Sequence, residues 1–143
     1  MHFHKISRKP KSDLKKMEDK LWDIFSVYIR LRDSDNQGVG KCFTCGKIIH
    51  WHKGDCGHGI GRQHKATKFN ELNNHLQCKK CNGFEGGMRE KYKENMDKRY
   101  GVGTWNKMEV AARQTAKYGP FLLKNNIDYY THKVTELKAE KGI

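Results

Sequence analysis

Four of the five cysteines stand in two Cys-x-x-Cys pairs, Cys42/Cys45 and Cys78/Cys81. Each pair spans a tight turn, so its two thiolates can converge on one ion, and two such turns supply the closed tetrahedral ligand set of a structural zinc site. Four soft ligands leave no position for water, so a zinc ion here would stabilise the fold without catalysing a reaction. Cys56 stands alone, and we interpret it as a small, partly buried residue.

A second group of polar residues lies at fixed distances from these cysteines. His58 lies between the two pairs, Asn73 precedes Cys78 by five residues, and Asn82 directly follows Cys81. This arrangement resembles the HNH, or ββα-metal, nuclease finger, which has a His on its first strand, an Asn five residues before the third zinc Cys, and Asn or His after the fourth. The resemblance implies a nuclease that uses a divalent metal ion.

Each residue type suits a step of phosphodiester hydrolysis. A neutral imidazole can take a proton from water at neutral pH, so we predict that His58 is the general base. The resemblance implies that Asn73 orients this base through its backbone and side chain. A hard divalent ion, Mg²⁺ or Mn²⁺, would neutralise the phosphate and the leaving oxygen, and Asp55 and Asn82 are the available oxygen donors.

The position of the acid departs from the usual HNH pattern, in which it immediately precedes the base. Residue 57 is Gly, and the nearest acid is Asp55, three residues before His58. A bulge between these two residues would bring them to one face of the strand. His64 and His75 are alternative metal ligands, although each also fits an ordinary surface or hydrogen-bonding role.

The wider pattern is similar to the phage NinG/Rap recombination protein family. The similarity runs from about Leu21 to Gly101, through LWDIFSVYIRLRDSD, CFTCGKIIHW, DCGHGIGRQHKATKF and NELNNHLQCKKCN. It implies a structure-specific endonuclease acting on branched recombination intermediates, including Holliday junctions and D-loops, in the bacterial host of a phage or prophage. Gly59 stands where this family usually has a large residue, which would loosen the strand beside the base.

The charge balance favours the same partner. The chain of 143 residues has 29 Lys and Arg against 16 Asp and Glu, a formal net charge of +13 that predicts an extended anionic partner, with nucleic acid the first candidate. Six basic residues near the base or the second Cys pair are predicted to contact DNA phosphates: Arg62, Lys65, Lys68, Lys79, Lys80 and Arg89.

Length and composition exclude several classes of protein. An apolar fraction of 36% supports one modest core, which excludes a large multidomain enzyme. The sequence has no uncharged apolar run of the roughly 18 residues that a membrane span needs, and its start lacks the apolar centre of a signal peptide. We therefore expect a soluble protein of the bacterial cytoplasm.

The elements that position these residues follow from the spacing of apolar side chains. We expect a basic flexible N-terminus (1–11), an amphipathic helix (12–34), a zinc-bound HNH nuclease core with short strands (40–100), and a helical C-terminal extension of the same domain (104–140). The charged face of the first helix, which includes Arg30, is interpreted as solvated.

Two further features concern helices and histidines. One C-terminal helix is predicted to run from Thr104 to about Tyr118, and the next to begin at Pro120 with heptad-like apolar spacing that serves either the core or a helical dimer seam. His50 and His52 flank Trp51 at strand spacing; contact with DNA or a metal is one reading, and we prefer an ordinary polar strand face.

The sequence thus predicts an α+β fold in which a small zinc-stabilised ββα-metal, treble-clef-like finger is flanked by helices. The predicted function is metal-dependent cleavage of branched DNA. The alternatives are a non-catalytic zinc-stabilised DNA-binding module and a sequence-tolerant HNH nicking nuclease. His58, Asn73 and Asn82 discriminate between catalysis and binding, because binding alone needs no such set. A homodimer, formed through the first or last helix, would supply two active sites for symmetric nicks.

Overall fold

The computed structural model describes residues 10–84, 86 and 88–143, so most of the predicted N-terminal tail lies outside the described residues. The described chain is α+β, with helices and two small antiparallel sheets. Its elements in chain order are α1 (Asp13–Arg32), β1 (Val39–Lys41), β2 (Ile48–His50), β3 (Asp55–His58), α2 (Lys65–Lys68), a 3-10 turn (Glu71–Asn73), β4 (Asn74–Gln77), a π-helix (Lys80–Phe84), α3 (Arg89–Tyr100), α4 (Thr104–Ala112) and α5 (Pro120–Lys141).

Helices α1 and α5 pack along each other and form one of the two main cores. Helix α1 begins where the sequence predicts, with the Ser12 hydroxyl accepting the N–H of Lys15 as an N-cap. The buried stripes of the two helices meet and consist of Leu21, Phe25, Ile29, Leu123, Ile127 and Tyr130. These large apolar side chains anchor the N-terminal helix to the C-terminal one.

The heptad-like spacing of α5 therefore serves packing within one chain. Leu123 and Ile127 are only 1% and 9% exposed, and the stripe of α1 that faces them is equally buried. Of the two uses predicted for this spacing, the structure supports packing in the core, because these side chains are buried between α1 and α5.

Two antiparallel ribbons carry the candidate site. Strand β1 pairs with β2, and β3 pairs with β4 over its whole length, with Asp55 opposite Gln77 and His58 opposite Asn74. The bulge predicted between Asp55 and His58 is therefore wrong. A two-stranded ribbon twists strongly, which allows the two ends of β3 to border one cleft without an extra residue.

The remaining helices cover the other side of the ribbons. Tyr92 and Met96 from α3 and Trp105 from α4 form a second core with Phe43. Helix α4 ends at Ala112, short of the predicted end, because the chain beyond it is held by other contacts.

Contacts made by Tyr118 fix the segment that follows α4. Its ring packs on Phe69 and its hydroxyl donates to the carbonyl of Lys65, which draws residues 113–119 away from a helical path. None of the helices in the described ranges combines the length and the apolar character required to cross a membrane.

Candidate metal centre and active site

The four predicted zinc ligands converge. The Sγ atoms of Cys42, Cys45, Cys78 and Cys81 all lie within 4.8 Å of one another, and those of Cys45 and Cys78 are 3.8 Å apart. Tetrahedral coordination with Zn–S bonds of about 2.3 Å requires S–S distances of about 3.8 Å. The cluster therefore fits a four-cysteine structural zinc site in both donor type and spacing.

The protonation of these thiols also suits a cation. Burial raises the pKa of Cys42, but hydrogen bonds from backbone N–H groups and from Thr44 outweigh it and lower the pKa to about 6. Burial and neighbouring thiols raise the pKa of Cys81 to about 12. A bound cation would be required to keep Cys81 as a thiolate at neutral pH.

A cleft between α1, β3 and the second Cys pair brings together the predicted catalytic residues. Asp55, His58 and Asn82 all line it, and so do Arg62 and Lys79. Asp55 and His58 come from the two ends of β3, whereas Asn82 comes from the π-helix that follows the last cysteine. Irregular π-helical turns of this kind occur frequently at functional sites.

Asp55 and Asn82 are in direct contact. The Asn82 Nδ2 donates to Asp55 Oδ2 at 3.1 Å, and Lys79 Nζ donates to Asp55 Oδ1 at 2.6 Å. The Lys79 side chain is 70% exposed and the Asp55 side chain 30% exposed. A cation can therefore reach the carboxylate from solvent if Lys79 moves aside.

His58 has the environment of a neutral base. Burial, followed by the positive charge of Arg62, lowers the pKa of His58 below its ordinary value of 6.5. The ring lies edge-on to Trp22, with centroids 6.5 Å apart. At neutral pH the imidazole is therefore unprotonated and able to accept a proton.

Asn73 is completely buried and clamps the segment that follows His58. Its Oδ1 accepts the N–H of Ile60 at 2.8 Å, and its Nδ2 donates to the Ile60 carbonyl at 3.0 Å and to the Thr67 carbonyl at 3.2 Å. Its carbonyl oxygen accepts the N–H of Gly59 at 2.9 Å. Asn73 thus lies where it can position the base, while its side chain does not line the cleft.

His75, an alternative metal ligand in the sequence analysis, is not placed to bind a metal. The residue is fully buried, with Nδ1 at 2.8 Å from the Tyr92 hydroxyl and Nε2 at 2.6 Å from the Tyr100 hydroxyl. Burial and the charges of Arg32 and Arg99 lower the pKa of His75 to about 2. Both ring nitrogens are occupied by hydrogen bonds, so the metal-ligand prediction for His75 is wrong.

His64, the other alternative, occupies the N-cap position of α2, is exposed, and does not line the cleft. A residue on that exposed turn is separated from Asp55 and Asn82, so the structure does not bring His64 into a common site with them.

The predicted phosphate contacts differ in exposure. Arg62, Lys65, Lys79, Lys80 and Arg89 are exposed, and the Arg62 guanidinium rests 4.7 Å from the centroid of the Trp22 ring. Arg62 and Lys79 border the cleft. Arg89 lies on α3, where it pairs with Glu109 at 3.2 Å.

Lys68 does not belong to this exposed set. It is 5% exposed, and its Nζ lies 2.8 Å from Oε1 of Glu18, which is itself buried. The prediction of a phosphate contact for Lys68 is wrong, because packing of α1 over α2 removes its charge from the surface.

Comparison with known protein families identifies the chain. A family model described as Bacteriophage Lambda NinG protein matches residues 2–140. The chain belongs to the NinG family. Neither the curated proteins nor the solved structures gave a match.

This NinG-family chain has a tight rather than a loose backbone at Gly59. A Cβ at this position would lie 2.8 Å from the Trp105 ring and 2.9 Å from the Tyr92 ring. The expectation that Gly59 loosens the strand is therefore wrong, since two large aromatic side chains occupy the space that a side chain would need.

The structure adds three cleft residues to those predicted from the sequence. Trp22 and Arg30 of α1 line the cleft, as does His52, whose ring stacks on buried Trp51 at 3.8 Å. The only signal for the first two was their place within the motif LWDIFSVYIRLRDSD.

Arg30 is held rigidly but keeps its charge. Its Nε donates to the Ser26 carbonyl at 3.1 Å, its Nη1 donates to the Trp51 carbonyl at 3.0 Å, and its guanidinium lies 5.4 Å from the Trp51 ring centroid. These partners are uncharged, so Arg30 presents a fixed positive charge to the cleft and does not lie on a merely solvated face.

Proposed function

We propose that this chain is a metal-dependent DNA endonuclease that hydrolyses phosphodiester bonds in branched recombination intermediates such as Holliday junctions and D-loops, within the cytoplasm of a bacterial host. The observation that carries the proposal is a single cleft lined by His58 and by two oxygen-bearing side chains, Asp55 and Asn82. Membership of the NinG family and the net charge of +13 support it. On this proposal, β3, β4 and the following π-helix are the ββα elements of an HNH finger.

His58 performs the proton transfer. Its neutral ring accepts a proton from a water molecule, and the resulting hydroxide attacks phosphorus in line with the leaving oxygen. The P–O bond to the leaving oxygen breaks, and that oxygen takes up a proton from solvent. Asn73 keeps the base in place by clamping Gly59 and Ile60. Arg30 and Arg62, which border the cleft, contact the phosphate oxygens through charge-assisted hydrogen bonds.

The donor set of the cleft fits a hard divalent ion. Asp55 and Asn82 would hold Mg²⁺ or Mn²⁺ through oxygen atoms, and the ion would supply positive charge beside the phosphate and the leaving oxygen. Binding requires Lys79 to release Asp55 and the Asn82 amide to turn its oxygen inward. The first change is local, because the Lys79 side chain is 70% exposed. The second change is a rotation of the Asn82 side-chain amide.

The experiment compares the wild-type protein with His58→Ala and His64→Ala. A labelled four-way junction, D-loop and linear duplex of matched sequence are incubated with Mg²⁺, Mn²⁺ or EDTA. His64→Ala is the control, because it removes a histidine that is exposed and does not line the cleft. Melting curves and zinc content establish that all three proteins are folded.

We expect metal-dependent cutting of branched DNA that is lost in His58→Ala and kept in His64→Ala. Binding without cutting in any metal would overturn the nuclease proposal and favour a zinc-stabilised DNA-binding module. Equal cutting of all three substrates would keep the nuclease and favour a sequence-tolerant nicking enzyme.

Resolution of a four-way junction needs two symmetric nicks, so we also propose a homodimer on that substrate. Its interface must use surfaces other than the buried stripes of α1 and α5. A monomer mass by light scattering, unchanged by concentration or by added junction, with cleavage intact, would contradict this.

A further inference from the structure

A groove lined in part by Cys45, Cys78 and Cys81 of the candidate zinc centre has no role in the proposed reaction. We call it the zinc-side groove, and it combines cationic with apolar side chains: Lys47, Lys53, Lys79, Lys80, Ile48 and Met88. None of the described residues that line it carries a carboxylate. Its charge is therefore complementary to a polyanion.

Ile48 indicates which polyanion fits. Its side chain is 66% exposed at the start of β2, directly after Lys47. A large apolar side chain among lysines gains free energy by covering another apolar surface. The backbone of duplex DNA offers only phosphates and sugars, whereas an unpaired nucleotide also exposes the apolar face of its base.

The groove is continuous with the candidate active site. Lys79 lines both the cleft and the groove, while His52 lines the cleft and His50 lines the groove on the same chain segment. A DNA strand that leaves the cleft past Lys79 therefore enters the groove directly.

We propose that the zinc-side groove binds an unpaired DNA strand that continues from the cleft. Lys47 and Lys53 contact successive phosphates, and the Ile48 side chain covers the face of a base. The proposal deepens the proposed function by naming the substrate segment beyond the scissile phosphate, and it rests on that function only in taking DNA as the ligand.

The test measures binding rather than cleavage. Fluorescence anisotropy follows a labelled single-stranded oligonucleotide and a matched duplex bound to the full chain, without added Mg²⁺ or Mn²⁺, over a range of salt concentrations. The double variant Lys47→Ala/Lys53→Ala is compared with Lys107→Ala/Lys124→Ala, which removes two exposed lysines that line neither the cleft nor the groove.

For single strands, each phosphate contact adds about 0.7 to the slope of log affinity against log salt, so loss of two contacts should reduce the slope by about 1.4. The control variant should keep the wild-type slope. A third variant, Ile48→Ala, should weaken single-strand binding and leave duplex binding unchanged, and zinc content should be normal in all variants.

Unchanged slopes in Lys47→Ala/Lys53→Ala would overturn the proposal. Equal weakening of single-strand and duplex binding in Lys47→Ala/Lys53→Ala would also overturn the proposal, because the groove would then be a general phosphate surface. These outcomes are independent of the cleavage assay. The groove can fail to bind single strands while His58-dependent cutting persists, and it can bind single strands even if no substrate is cut.

Discussion

Lys68→Met should destabilise the fold and leave DNA binding intact, whereas Lys65→Met should do the reverse. Both ammonium groups lie near the carboxylate of Glu18, Lys68 at 2.8 Å and Lys65 at 3.6 Å. They differ in environment, because the Lys68 side chain is 6% exposed and that of Lys65 is 51% exposed. The two substitutions therefore form a matched pair that separates a structural lysine from a surface lysine.

The size of the Lys68→Met effect follows from what happens to Glu18. Burial opposes ionisation of Glu18, but the hydrogen bond and charge of Lys68 outweigh it and lower the pKa from the ordinary value of 4.5. Without Lys68, burial favours protonation of this carboxyl, opposed by the charges of Lys15 and Lys65. Holding it neutral at pH 7 costs about 3.4 kcal/mol, at about 1.36 kcal/mol for each pH unit above 4.5. Loss of a partner from buried pairs in general costs about 3–5 kcal/mol.

Urea denaturation at two pH values measures this cost. In the wild type, the lowered pKa of Glu18 contributes stability that is present above pH 4.5 and lost as the pH falls through the folded-state pKa. In Lys68→Met, the cost of keeping Glu18 neutral falls as the pH approaches 4.5, so the deficit should shrink from about 3.4 kcal/mol at pH 7 to about 1.4 kcal/mol at pH 5.5. Lys65→Met should cost less than about 1 kcal/mol, because its pair is exposed, and should reduce the salt dependence of DNA binding.

A Lys68→Met deficit below about 1 kcal/mol at pH 7, or one that is equal at both pH values, would refute this reasoning. The double variant Glu18→Gln/Lys68→Met is the control and should recover much of the loss, since it leaves no unpaired buried charge. A reduced slope of log DNA affinity against log salt concentration in Lys68→Met would show that Lys68 does contact a phosphate.

Three further predictions concern the candidate zinc centre, the packing beside the base, and the base itself. Cys78→Ser removes one of the four candidate zinc ligands and should abolish zinc binding and cooperative melting; a normal melting curve with full zinc content would contradict a structural zinc. Gly59→Leu should destabilise the fold by about 1–3 kcal/mol in urea, because its Cβ would meet the Trp105 ring at 2.8 Å, and an unchanged midpoint would disprove the tight packing. Arg62→Gln removes a charge that lowers the pKa of His58, so the acidic limb of the pH–cleavage profile should move to higher pH; an unmoved limb would count against His58 as the base.

The four-cysteine cluster and the neighbouring Asn82 could be predicted from the sequence because both depend on short-range spacing. A Cys-x-x-Cys turn brings its own thiols together, and residues adjacent to a ligand are fixed relative to the ion. Asn82 follows Cys81 directly, so its proximity to the second pair was determined as soon as that pair was recognised. The start of α1 at Ser12 was equally local, since an N-cap is formed by neighbouring residues.

The tertiary structure alone decided which side chains meet across long sequence separations. Glu18 and Lys68 are 50 residues apart, and only the packing of α1 over α2 turns that lysine from a surface charge into half of a buried pair. Packing of α1 against β3 brings Arg30 into the cleft that His58 also lines. Residue type gives the charge that each of these groups can carry, but burial and partners depend on which distant segments pack together, and the spacing along the chain does not specify that.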